Sequence, residues 1–217
     1  MALRPGFEAF REGFERGLNQ VVWTRLAADL DTPVSLMLKL AGAGRHAFML
    51  ESVTGGEVRG RYSIVGLNPD LIWECRGPAA RVNRAARYDE DAWEDMGGDP
   101  LAALRRLLAE CRMALPEGLP AASAGLFGYL GYDMVRLVER LPDARPDPLG
   151  LPDAVLLRPS VVAVLDGVKG DVILVAPAWA GSGLSAKAAF AQAAERVADA
   201  QRALERGVAL APRALGE

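Results

Sequence analysis

Apolar positions along this chain recur with two different periods, and the changes of period mark out its elements. Phe7, Phe10 and Phe14 are spaced by three and four among charges, which predicts a short amphipathic helix. Val21-Val22-Trp23 reads as an edge strand. Pro33 suits the first turn of a second helix, with Asp31 or Thr32 as its cap, Leu36 and Leu40 on one face, and Gly42 as its stop. Ala47-Phe48-Met49-Leu50 is unbroken and apolar, as a buried strand should be, and it delivers Glu51 and Ser52 to its own end. Gly55-Gly56 turns the chain, Arg59 and Arg61 follow on the return, and Tyr62 to Val65 forms the answering strand. An acid, a hydroxyl and a guanidinium in one hairpin make a cradle for a zwitterionic small molecule. The plainer alternative is a surface hairpin whose charges are simply solvated.

Further on, Leu71 to Glu74 and Ala79 to Asn83 read as strands split by Arg76-Gly77-Pro78, and Tyr88 to Gly98 reads as acidic loop. Asp99-Pro100 opens a helix carrying Leu101, Leu104, Leu107, Leu108 and Cys111, closed by Pro116 to Pro120. Gly125, Gly128 and Gly131 interrupt an apolar strand. Without the lysine and Ser/Thr of a phosphate loop, they mark a bulge or a close backbone approach. Asp133 is expected to cap a helix from Met134 to Leu141, ended by Pro142, and Asp143 to Pro152 is a proline-rich connection. Val155 to Leu165 and Asp171 to Val175 form an antiparallel pair around Asp166-Gly167. The longest helix runs from Ser185 to Gly207, with Phe190, Val197 and Leu204 every seven residues. Its thin stripe suits either a helix on a sheet or a connector to another part. Strands in sets, interspersed helices and short turns argue an α+β domain with mostly antiparallel sheet.

Composition narrows the class. The 217 residues are 51% hydrophobic, enough to bury a sizeable core. A net charge of −3, with signs well mixed, points to neither nucleic acid nor a membrane surface. Cys75 and Cys111 lack any metal-ligand spacing and are expected as free, buried thiols in a reducing compartment. No apolar run is long enough to span a bilayer and no leader pattern is visible, so a soluble, cytoplasmic protein is expected. His46, the sole histidine, has no partner in sequence that would make it a metal ligand or general base.

Several segments, in order and correctly spaced from about residue 20 to residue 180, resemble the N-terminal part of anthranilate synthase component I. They are Asp31-Thr32-Pro33-Val34-Ser35, Leu50-Glu51-Ser52-Val53 with Gly55-Gly56 and Gly60-Arg61-Tyr62-Ser63, and Gly128-Tyr129-Leu130-Gly131-Tyr132-Asp133-Met134-Val135-Arg136. Leu157-Arg158-Pro159 ahead of its apolar strand belongs with them. The resemblance implies orthogonally packed antiparallel sheets flanked by helices. It divides the chain into an N-terminal extension (1–20), the family's N-terminal domain (21–180) and a connector helix with tail (181–217). In that family the full-length enzyme, a lyase of tryptophan biosynthesis, converts chorismate and ammonia to anthranilate and pyruvate with Mg²⁺. A glutamine amidotransferase subunit, component II, supplies the ammonia, and tryptophan is the feedback inhibitor.

Positions matching the inhibitor site are Pro33, Glu51, Ser52 and Arg61. Pro33 and the strand end would wall an indole, Glu51 would accept from an ammonium, and Ser52 would donate or accept. Arg61 either holds the carboxylate or clamps Glu51 across the hairpin; the sequence leaves both open. None of the family's chorismate-contacting, Mg²⁺-binding or catalytic motifs occurs in this chain. A truncated or shortened chain is therefore expected, without synthase activity by itself, and with an exposed sheet face that a missing part would cover. The alternatives are the same region of an aminodeoxychorismate synthase, of the folate pathway, and a free-standing amino-acid-binding module.

Overall fold

The computed structural model describes residues 2–41, 46–51, 60–142 and 147–208. Four helices, α1 (Phe7–Glu15), α2 (Pro33–Ala41), α3 (Pro100–Glu110) and α4 (Ala186–Leu204), accompany eight strands. The strands are β1 (Gln20–Ala27), β2 (Phe48–Leu50), β3 (Tyr62–Arg76), β4 (Ala79–Asn83), β5 (Trp93–Asp95), β6 (Phe127–Leu130), β7 (Ala154–Asp166) and β8 (Asp171–Ala178). They form one antiparallel network in the order β1-β8-β7-β3-β4-β5, with β2 added to β3 and β6 added to β7. The α+β expectation holds.

β3 and β7 are the spine, and each changes its outer neighbour halfway. Residues 64–66 of β3 carry β2, whereas 72–76 carry β4. Residues 154–157 of β7 carry β6, whereas 162–166 carry β8. Between the halves, Pro69 stands opposite Pro159, so neither strand has an N–H to donate there, and the register shifts before Leu71. Asn68 takes up the irregularity with φ +47°. A sequence reading ends one strand at Val65 and begins another at Leu71, whereas in the molecule the strand continues through Asn68-Pro69-Asp70. Two expected strands, Tyr62 to Val65 and Leu71 to Glu74, are one strand bent at a bulge.

Alternation along the spine serves two faces. Val65, Leu67, Val161, Ala163, Leu165, Val172 and Leu174 face a core shared with α1, α2 and α4. Val162, Val164, Ile173 and Val175 face the opposite side with Val21 and Trp23. Around the far half, Leu71, Trp73, Cys75 and Val82 pack with Ala103, Leu104 and Leu107 of α3. Cys75 and Cys111 are free and buried, as expected.

Asp99 caps α3 through bonds from the Leu101 and Ala102 amides, so the Asp-Pro signal was sufficient. α4 lies on the sheet by burying Ala186, Ala189, Ala193, Val197 and Ala200. Small side chains let the helix come close, while Phe190 turns aside to meet the Phe7 and Phe10 rings at 5.4 and 5.2 Å. Two further expectations fail. The acidic stretch from Tyr88 to Gly98 contains β5, because pairing with β4 imposes extension that its composition does not predict. Asp133 caps no α-helix. Its carboxylate binds Arg136 Nε at 2.7 Å, and Tyr132–Leu137 forms a 3₁₀ turn instead.

Two glycines of the Gly125–Gly131 stretch, Gly128 and Gly131, are explained by close approach to β7 and the residue before it, whereas Gly125 has open space around it. A Cβ on Gly128 would sit 1.9 Å from the Val155 carbonyl oxygen, and one on Gly131 would sit 2.8 Å from that of Asp153. The close backbone approach expected of this stretch is present at Gly128 and Gly131. Beside them Tyr129, Leu130, Tyr132, Leu149 and Leu151 are exposed. Among the described residues, no helix is long and apolar enough to cross a membrane.

Candidate functional site

The candidate site lies at the end of the sheet where β2 finishes and β3 begins. α2, which packs on both strands, opens with a reciprocal cap. The Thr32 amide donates to Ser35 Oγ at 2.9 Å, and the Ser35 amide donates to Thr32 Oγ1 at 3.1 Å. Asp31, ahead of the cap, accepts from Ser35 Oγ and Lys39 Nζ, both at 2.7 Å. Burial pushes the Asp31 carboxyl up, but the Lys39 and Ser35 hydrogen bonds and the Lys39 charge outweigh it and hold it below its ordinary value. Leu36, fully buried, anchors the helix in the core. Pro33 is thereby fixed at the first position of α2, partly exposed.

β2 is held by an aromatic contact as well as by its ladder. Phe48 pairs with Gly66, and a Cβ at Gly66 would lie 2.2 Å from the Phe48 ring. The same ring stacks on Phe127 of β6 at 4.9 Å. Only glycine at 66 leaves the ring room to cross β3. Glu51 follows directly and is exposed. His46, before β2, is also exposed and adopts φ +57°.

Arg61, half-buried one residue ahead of β3, does not clamp Glu51. Its Nε and Nη2 donate to the Asp166 carboxylate at 2.9 and 2.6 Å, and its guanidinium lies 5.0 Å from the Tyr62 ring centroid. Asp166 is buried and also accepts from the Val168 and Lys169 amides. The Arg61 bonds hold the Asp166 carboxyl below its ordinary value against the opposing effect of burial, and reciprocally raise Arg61.

The structure thus brings Glu51 and Arg61 to one end of the paired strands β2 and β3, with Pro33 at the start of the helix that packs on both. Ser52, Gly55, Gly56 and Arg59 lie outside the described residues. Asp166 is the residue that sequence reasoning did not place in the site. In the sequence it reads as part of a turn, and its partner is 105 residues away. Among the described residues no group of three His, Cys, Asp or Glu side chains is placed to hold a metal ion.

The chain is 67% identical over 200 residues to anthranilate synthase component 1 of Cereibacter sphaeroides, covering 92% of this chain and 40% of that protein. It is 34% identical over 197 residues to that of Synechocystis, covering 90% and 38%. To that of Thermus thermophilus it is 41% identical over 150 residues, covering 69% and 30%. A crystal structure of anthranilate synthase component I from Streptococcus pneumoniae matches 82% of this chain and 37% of that one. Its TM-score is 0.52 at 21% identity, which supports the fold. No family model matches the chain. The chain spans about two fifths of the length of the first of these curated relatives.

Proposed function

We propose, taking as premise that the chain is a homologue of anthranilate synthase component I spanning part of its length, that it is the feedback-regulatory part and binds L-tryptophan. The observation that carries the proposal is the 67% identity across nearly the whole chain. The geometry is compatible with it. Pro33 offers a rigid apolar wall for an indole, and the exposed Glu51 carboxylate can accept from the amino acid's ammonium. Asp166 engages Nε and Nη2 of Arg61, and among the described residues no acceptor takes Nη1, which can meet a carboxylate. Of the two roles open to Arg61, holding the ligand is the one proposed. Ser52 completes the set.

In the full-length protein, chorismate and ammonia would be converted to anthranilate and pyruvate, with Mg²⁺ holding carboxylates and component II delivering ammonia from glutamine. No residue of this chain is assigned to that chemistry. A cytoplasmic setting goes with the same proposal.

The test is calorimetric titration of the chain with L-tryptophan, with chorismate plus Mg²⁺ as the parallel ligand. Saturable tryptophan binding without chorismate binding is expected. Ser52→Phe should abolish the tryptophan signal by filling the pocket. Tryptophan binding that survives Ser52→Phe unchanged removes the site assignment, and turnover of chorismate by this chain removes the regulatory role.

A further inference from the structure

The bulge at Asn68-Pro69 leaves a recess between the spine and α4, away from Pro33, Glu51 and Arg61. It has a volume of about 190 Å³, and its walls include Leu40, Asn68, Arg87, Ser160, Arg196 and Asp199. At ~30 Å³ per water that is room for about six waters, or for a small anion with its remaining hydration. Two guanidinium groups line it. Arg87 Nη1 reaches the buried Ser160 hydroxyl at 3.4 Å. Arg196 donates from Nη2 to Gln192 Oε1 at 2.8 Å, and its buried Nε has no hydrogen-bond partner among the described residues.

Among the described residues no carboxylate forms an ion pair with Arg87 or Arg196. Of the nearby acids, Asp199, which also lines the recess, pairs with Arg202, and Asp70 pairs with Arg158 at 2.6 Å. Arg158 in turn lies 4.4 Å from the Trp179 ring centroid, which fixes it and keeps Asp70 engaged. Burial, and then the like charge of Arg87, shift Arg196 toward losing its proton, while Asp70 and Tyr88 oppose them. A guanidinium stays protonated at neutral pH all the same. Arg196 is partly desolvated beside a like charge and has a buried N–H that no described residue accepts, so an acceptor in the recess would stabilise it, while the exposed Arg87 adds positive charge at little cost of its own.

We propose that this recess is an anion site, in which Arg87, Arg196 and the Ser160 hydroxyl hold a doubly charged oxyanion. An Nε/Nη fork presents parallel donors to two oxygens of a phosphate or carboxylate, and Ser160 supplies a third donor from β7. The ligand would tie α4 to β3 and β7 at the point where their ladder is broken by Pro69 and Pro159. The proposal does not depend on the tryptophan site, since none of the named walls belongs to it.

The test is calorimetric titration of the chain with inorganic phosphate and, separately, with malonate, each against sodium chloride at matched ionic strength. Saturable binding of at least one oxyanion is expected, weakened tenfold or more by Arg196→Gln and by Arg87→Gln. Arg105→Gln, an exposed change on α3, should leave it unaltered. Arg87 is exposed, so its variant keeps the test valid if Arg196→Gln lowers the melting temperature. Binding of phosphate alone assigns a phosphate-bearing ligand, and binding of malonate alone a dicarboxylate. No saturable heat from either, or equal affinity in wild type and both variants, overturns the site.

Discussion

Arg61 and Asp166 are joined by two hydrogen bonds across 105 residues of sequence, tying the entry of β3 to the exit of β7. The pair closes the sheet end that carries Glu51, and the Gly167 amide adds a bond to the Arg61 carbonyl at 2.9 Å. Asp166 therefore serves two structures at once. It orients the guanidinium, and it caps the turn into β8.

Acid stability should depend on this pair. The Asp166 carboxyl titrates below its ordinary value of 3.8 when folded, so its contribution is present above about pH 4 and is lost as pH falls through the lower folded value. Asp166→Asn should lower the melting temperature at pH 7 and show a smaller further loss between pH 5 and pH 3 than wild type. Thermal unfolding followed by circular dichroism at the three pH values measures both. Equal losses on acidification in the two proteins would rule out this contribution.

Gly128→Ala should be among the most damaging single-methyl changes. The added Cβ meets the Val155 carbonyl oxygen at 1.9 Å, and a backbone atom in the paired strand cannot rotate away. A loss of about 3 kcal/mol, the upper part of the overpacking range, is expected in urea unfolding. Gly181→Ala, where nothing lies within 4 Å, should change stability by less than about 0.5 kcal/mol.

Asp99→Ala removes the bonds to the Leu101 and Ala102 amides at the start of α3. The expected cost is about 1 kcal/mol, and Asp99→Asn should recover most of it. Chemical denaturation of the three proteins resolves the difference. No loss in the alanine variant would mean that packing of Leu104 and Leu107 alone sets the stability of α3.

Glu51→Gln separates ligand contact from stability. Because Glu51 is exposed, its replacement should leave the melting temperature within about 2 °C while weakening tryptophan binding roughly tenfold, as expected for loss of a charge-assisted contact. Calorimetry beside a thermal melt reads both quantities. Unaltered affinity would remove Glu51 from the site.

Local signals settled much of the chain. Spacing of Phe7, Phe10 and Phe14, the Asp99-Pro100 cap, the apolar runs flanking Asp166-Gly167 and the long alanine-rich tail each specified an element, because helix periodicity, capping and strand burial act over a few residues. Motif order was enough to identify the anthranilate synthase component I relationship. What tertiary structure alone decided are the events that join distant segments. Pro69 meeting Pro159 converts an apparent break into the bend of one strand. Pairing with β4 makes a strand of the acidic residues at Trp93–Asp95. Asp166 claims Arg61, and α4 brings Arg196 beside Arg87 over Ser160. Such contacts depend on which strands become neighbours, and pairing across a hundred residues is fixed by the packing of the whole sheet, which leaves no mark in the local pattern.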